Sequence, residues 1–361
     1  MTMFEHDKSA ALDFRGRQVL ARYLPRIVPV RVEALGNRGG FSGAGIWRVI
    51  TNAGDFALRQ WPSPGLPSER IAGLHRLLEH LHGQGVTFVS VPLTTGGITV
   101  LRDIAHDWQL EPWMPGEANF HTEPSTDRLI SAMTALAQWH LAAARFVPTS
   151  QSSQWFSTRG PSPSPAVAER LTILAGANET AIHRIESRTI VASTSLILDL
   201  ARRILELFRI ARTRVIAELE LVRDVPVPLQ PCLRDVWHDH LLFSGDKVTG
   251  IIDPSACRTE SVACDLSRLI GSLVGDDPDH WKLALHEYQR FRSLSIGERA
   301  LLTVFDRSGV LLSGWKWLEW LYLDRRPFPD LNAVTSRLTE ILKRMESLFD
   351  RNDQPPMLVV S

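Results

Sequence analysis

Residues 233–273, LRDVWHDHLLFSGDKVTGIIDPSACRTESVACDLSRLIGSL, decide how this sequence reads. Asp235 opens a short polar loop that ends at His240. An apolar strand over 241–243 follows and turns at Ser244, Gly245 and Asp246. A second strand, VTGIID, carries Asp253 at its end. A hairpin of that shape brings two carboxylates to one mouth, an arrangement suited to holding a divalent cation and positioning a nucleophile. The three cysteines of the chain, Cys232, Cys257 and Cys264, all fall in or beside this stretch. Their spacing matches no C-x₂-C zinc pattern, so they read as small buried hydrophobes beneath the hairpin. His238, Asp239 and His240 could suggest a metallohydrolase site, but neighbours in one loop rarely converge on one metal.

On the N-terminal side, helix is expected over 12–28. VEALGNRGGFSGAGIWRVIT (32–51) then reads as strand, glycine-rich turn and strand, and FALRQW (56–61) as a third strand. SERIAGLHRLLEHLHGQG (68–85) has a helical apolar period, with Ser68 as N-cap and Gly83 and Gly85 as the stop. Two further strand-like runs, TVLRDI and WQLEPWM, end at Pro115-Gly116. Beyond that point the texture turns helical: RLISAMTALAQWHLAAARF (128–146), residues 180–223 and residues 297–349. The Ser/Pro-rich run 149–166 reads as a surface loop. The expectation is an α+β chain in two lobes joined near 112–118: a small antiparallel-sheet lobe with one helix over 1–118, and a larger, mostly helical lobe over 119–361.

Composition bounds the partners. Forty Lys+Arg against forty Asp+Glu leave no cationic excess. That argues against a general nucleic-acid binder and against a polybasic membrane-surface protein. No run of 18 apolar residues is present, and the start MTMFEHDKSAALDF lacks the pattern of a signal peptide, so a cytoplasmic location is expected.

The order and spacing of these motifs resemble the aminoglycoside phosphotransferase and choline kinase-like family, which has a protein-kinase-like fold. The resemblance covers roughly 30–145 and 228–290. It implies Asp235 as the catalytic aspartate and Asp253 as a metal-binding aspartate, with His240 at the position of the family's metal-binding Asn. Asp265, Leu266 and Arg268 resemble the D-L-x-R helix that follows. Gly39, Gly40, Ser42 and Gly43 would offer backbone amides to the phosphates, and Arg59 stands where the family has a phosphate-contacting Lys. Glu69, with Glu79 as the alternative, is the expected acid partner of Arg59. LEPWMPG resembles the interlobe hinge, where backbone groups of 111–113, from Glu111 to Trp113, would meet adenine. The implied cofactors are ATP with Mg²⁺ or Mn²⁺, and the implied partner is a hydroxyl-bearing small molecule. Four positions depart from the pattern: Arg59 for Lys, Leu233 for His, His240 for Asn, and Pro254 for an aromatic residue. They favour the rival reading, a nucleotide-binding pseudokinase acting as a regulatory module; retention of both Asp235 and Asp253 opposes it. Trp315 falls on the apolar face of its helix and reads as core, with Trp317 and Trp320 the better candidates for a pocket wall. Asp276, Asp277 and Asp279 read as a solvated loop, while the resemblance implies as the alternative an acidic acceptor pocket for a cationic alcohol.

Overall fold

The computed structural model describes residues 14–23, 26–35, 44–63, 65–189, 195–328 and 330–349. A short helix α1 (Phe14–Ala21) precedes strands β1 (Pro29–Ala34), β2 (Gly45–Thr51) and β3 (Gly54–Gln60). Helix α2 (Ser68–Gly83) follows, then β4 (Leu101–Arg102) and β5 (Asp107–Pro112). These strands form one antiparallel sheet in the order β1-β2-β3-β5-β4. Its core is small: Val49 and Leu58 pack with Trp108, Leu110 and the α1 residues Val19 and Leu20. Trp47 stacks on Trp108 with ring centroids 5.7 Å apart.

Helix α2 contributes nothing to that core. Its apolar face, Ile71, Leu74, Leu77, Leu78 and Leu81, belongs to the large core of the helical body. Each such side chain stabilises by about 1.5–3 kcal/mol when fully buried. Gly73 lets α2 approach closely, since a Cβ there would sit 2.7 Å from Ser152 Cβ and 3.0 Å from Phe156.

The body comprises α3 (Thr126–Ala143), β6 (Arg159–Pro163), α4 (Pro165–Gly176), α5 (Glu179–Thr189), α6 (Ser195–Leu221) and β7 (Pro226–Cys232). It continues with the hairpin β8 (Leu241–Ser244) and β9 (Lys247–Ile251), then β10 (Arg258–Glu260), α7 (Val262–Val274), α8 (Pro278–Gln289), α9 (Ile296–Leu318) and α10 (Leu331–Phe349). The expected loop over 149–166 is partly strand, because β6 pairs antiparallel with β7. Trp315 is buried and stacks on Phe208 at 4.7 Å. Trp317 is buried as well, whereas Trp320 is only half-buried and lies under the Arg326 guanidinium. All three cysteines are buried.

Pro115-Gly116 marks the crossing from sheet to body. Gly116 has φ +100°, and a Cβ there would lie 2.4 Å from Thr249 Oγ1 and 2.7 Å from the Phe243 carbonyl. Both backbone strain and space therefore demand glycine. The next residue, Glu117, exchanges two backbone hydrogen bonds with Phe243, fastening the crossing to the β8–β9 hairpin. Among the described residues, no helix is long and apolar enough to cross a membrane.

Candidate active site

The loop after β7 is held from below by one carboxylate. Asp265, fully buried on α7, accepts the backbone N–H of Leu233 (2.7 Å) through Oδ2 and that of Arg234 (2.6 Å) through Oδ1. His140 of α3 adds a third contact, Nε2 to Asp265 Oδ2 at 2.9 Å, while Nδ1 meets the Tyr288 hydroxyl at 2.9 Å. Burial pushes the His140 pKa down, so the ring stays neutral and donates from Nε2. This anchor fixes Arg234 at φ 66°, a left-handed conformation that bulky residues rarely adopt without external constraint. The chain then presents Asp235 outward. His140, Cys232 and Asp265 bring three potential metal-binding atoms within 4.8 Å of one another. The Asp265 oxygens already accept three hydrogen bonds, and burial pushes the Cys232 thiol well up, so this cluster is a structural anchor rather than a cation site.

Asp253 is the second left-handed residue of the segment, with φ 53° and ψ 58°. Its Oδ1 accepts a hydrogen bond from Arg59 Nη1 at 3.0 Å, joining residues 194 apart in sequence. Burial alone would raise the Asp253 pKa. The Arg59 charge and hydrogen bonds from Ser255 and Arg59 outweigh it and hold the carboxyl below its usual range. Arg59 is itself buried, and its acidic neighbours are Asp253 and Glu111. Glu111 lies on β5 beside Ala57 of β3, two residues from the Arg59–Gln109 pair, so strand alternation sets it on the Arg59 face. Burial pushes its pKa up to about 7 against the opposing pull of Arg59.

The expected partner acid is elsewhere. Glu69 is exposed in the first turn of α2, with Arg102 among its charged neighbours, and Glu79 is exposed as well. The α2 residue that reaches Gln109, beside Arg59 and Glu111 on the sheet, is His75. Its Nε2 and Gln109 Oε1 are 2.8 Å apart, and Gln109 Nε2 donates to Glu111 Oε2 at 3.2 Å. His75 Nδ1 meets Thr99 Oγ1 at 2.8 Å. Burial drives the His75 pKa down to about 4, so a neutral imidazole occupies the place where an acid was expected.

His240, expected as a metal ligand, has both ring nitrogens engaged. Nδ1–H donates to the Asp235 carbonyl at 2.7 Å, and Nε2 accepts the Trp237 indole N–H at 2.8 Å. Burial lowers its pKa, consistent with a neutral ring whose one lone pair is already in use. In this arrangement His240 locks the loop and has no free donor atom for a metal. The Asp253 carboxylate, by contrast, is deprotonated and supplies the hard oxygen that Mg²⁺ or Mn²⁺ prefers.

Asp235 is exposed, and its Oδ1 accepts two hydrogen bonds from Arg268 of α7, at 2.7 Å from Nη2 and 3.1 Å from Nε. In the expected hinge, the Trp113 N–H donates to the Asp55 carbonyl and the Pro112 carbonyl accepts from Ser90 Oγ. Two backbone groups of that stretch are thus already paired within the protein. The Trp113 ring lies beneath the Arg48 guanidinium at 4.8 Å. Gly39, Gly40, Ser42 and Gly43 lie outside the described residues.

Sequence reasoning missed the Asp265 anchor, the Trp237–His240 lock, the Arg268 clamp and His75. The D-L-x-R spacing carried a signal for Asp265 and Arg268, although not for their partners. No local pattern marks His75, which sits on an otherwise ordinary amphipathic helix.

Comparison with solved structures gives the same architecture. A spectinomycin phosphotransferase, solved with ADP and spectinomycin, aligns with TM-score 0.65 at 12% identity over 91% of this chain and 97% of that one. An amicoumacin kinase, solved with AMP-PNP, Ca²⁺ and its antibiotic, aligns with TM-score 0.61 at 14% identity over 91% and 96%. A macrolide 2′-phosphotransferase from Brachybacterium faecium aligns with TM-score 0.53 at 16% identity over 93% and 97%. No curated protein matches the sequence. The model of the phosphotransferase enzyme family matches residues 33–301. With three quarters of its length inside that match, and an antiparallel sheet set over a helical body as in protein kinases, the chain belongs to the phosphotransferase enzyme family.

Proposed function

We propose that the protein transfers the γ-phosphoryl group of ATP to a hydroxyl of a small molecule. The observation that carries this reading is the Arg59–Asp253 contact, which joins a cation of the sheet to a carboxylate at the end of the β8–β9 hairpin. A phosphoryl donor set against this pair would meet a fixed guanidinium beside a fixed carboxylate. Arg59 grips phosphate oxygens, assisted by backbone amides around Gly39, Gly40, Ser42 and Gly43. Backbone groups near Glu111 and Trp113 meet the base.

A divalent cation, Mg²⁺ or Mn²⁺, would neutralise charge on the β- and γ-phosphates, and Asp253 is the side chain that would hold it. Asp235 orients the acceptor hydroxyl. The hydroxyl oxygen bonds to the γ-phosphorus as the bond to the β,γ-bridging oxygen breaks, and Asp235 takes the proton late while ADP leaves. Loosening of the Arg268 contact, which engages one carboxylate oxygen, would open the whole Asp235 carboxylate to the acceptor. Because that pair is exposed and screened, the exchange is inexpensive.

Thermal unfolding with ATP and Mg²⁺ or Mn²⁺ tests the binding half, repeated on Asp253→Ala. A metal-dependent stabilisation that disappears in the variant is expected; no such shift with either metal overturns the reading. Slow ADP formation that survives unchanged in Asp235→Asn would overturn the assignment of the acceptor base.

A further inference from the structure

A cavity of about 600 Å³ lies between α7, α9 and α10, beside the loop that carries Asp235. Its wall includes Arg170, His238, Arg268, Arg337 and Lys343. Arg268 is also the partner of Asp235, so this cavity and the proposed catalytic carboxylate stand one side chain apart.

The charges of the wall are unevenly matched. Every carboxylate in it has a partner. Asp276 and Asp306 share the Arg344 guanidinium at 3.0 and 2.9 Å. Glu340 accepts from Arg337 at 2.9 Å, and Asp277 caps α8 and meets His280. Two cations have no such partner. Arg170 donates to the Phe305 carbonyl and the Ser308 hydroxyl and covers the Phe305 ring, but no carboxylate lies within ion-pair distance of it among the described residues. Burial pushes its pKa below the usual guanidinium range, with Glu260 pulling against the fall and Arg234 and Arg268 adding to it. Lys343 is exposed at the rim and likewise pairs with no carboxylate among the described residues. His238 adds an unsatisfied atom: its Nδ1 is buried without a hydrogen-bond partner, and burial drives its pKa down to about 3. Arg170 is thus hydrogen-bonded but, like Lys343, not charge-paired among the described residues.

We propose that the acceptor carries an anionic group, a carboxylate or a phosphate, seated in this cavity by Arg170 and Lys343. The inference rests on the phosphotransferase reading for the hydroxyl at Asp235, and it names the charge of the substrate that such a hydroxyl would belong to. A polycationic acceptor would meet two cations that no carboxylate pairs among the described residues. A carboxylate or phosphate would supply the missing counter-charge, and the planar guanidinium of Arg170 suits either.

Calorimetric titration of the ADP-bound protein tests this without requiring turnover. The ligands are glycerate, glycerol 3-phosphate, glycerol and 3-aminopropane-1,2-diol, which differ in the group beside a shared diol. At least one of the two anions is expected to bind tenfold or more tightly than glycerol and the amine, and which one distinguishes carboxylate from phosphate. Lys343→Met is expected to cut that preference several-fold with ADP binding unchanged. Arg170→Met should cut it further, but Arg170 also holds the α9 backbone, so Lys343→Met is the deciding variant. Equal binding of all four, no binding of any, a preference for the amine, or an unaltered preference in Lys343→Met would overturn the proposal. Failure of the phosphotransferase reading shows separately, as the absence of metal-dependent stabilisation by ATP.

Discussion

Two ion pairs frame the site, and they differ in kind. On the nucleotide side, Arg59 and Asp253 are only 9% and 18% exposed, and the arginine is shared with Glu111. On the acceptor side, Arg268 and Asp235 are 30% and 52% exposed, and a single carboxylate oxygen takes both hydrogen bonds. A shielded pair feels a low dielectric and keeps its geometry, whereas a solvated pair forms and dissolves at little cost. The contrast suits the proposed chemistry: the donor is met by a preorganised frame, and the acceptor displaces a clamp that yields.

Breaking the shielded pair gives the largest expected effect. Arg59→Met leaves Asp253 and Glu111 without their cation, and loss of one member of a buried pair typically costs about 3–5 kcal/mol. Urea unfolding should register that loss together with collapse of ADP formation; a variant as stable as the parent would show the pair to be idle. His75, on the same side, gives a pH signature of up to about 3 kcal/mol. Its folded pKa of about 4 lies below the ordinary 6.5. The stabilisation is therefore complete above about pH 6.5 and is lost progressively as pH falls through about 4. In His75→Gln this part of the acid slope should vanish.

Between the two pairs stands the Trp237–His240 contact. Trp237→Phe removes one hydrogen bond, worth about 1 kcal/mol, and frees Nε2. The His240 pKa, followed by NMR, is expected to rise toward its ordinary value; an unchanged titration would mean that the indole does not hold the ring. The smallest stability change belongs to Asp235→Asn, within about 0.5 kcal/mol because the pair is exposed. Its ADP formation should nevertheless fall by about 100-fold or more. A large loss of stability in that variant would erase the distinction between the two pairs.

The placement of Asp235, Asp253 and Arg59 was legible because each sits in a short motif whose spacing fixes its place on a loop, a hairpin end or a strand. Partners contributed by distant segments were not. Asp265 secures the loop from 31 and 32 residues away in sequence, and nothing near Leu233 or Arg234 announces it. Glu69 looked like the partner of Arg59 because an acid in a first helical turn fits the helix dipole whatever its role. The acid that does approach Arg59 comes from β5, where register alone chooses it. Strand β6 was hidden because its five residues, RGPSP, lack alternation and owe their conformation to pairing with β7. The two-lobed α+β architecture was legible from the change of period at Gly116, where strand-like runs give way to long helical ones.

Helix α2 contacts its two neighbours through different chemistry. Toward the helical body it offers leucines and isoleucine in a close-packed core. Toward the sheet it offers His75 to Thr99 and Gln109, and Ser68 to Asp107. Close-packed apolar faces resist sliding, while a few polar contacts can be exchanged for water one at a time. Mechanically, α2 is therefore part of the chassis. Were the five-stranded sheet to shift against the body, it would slide across α2 as a shutter, and the pull would pass through the short span between Pro112 and the fastened Glu117.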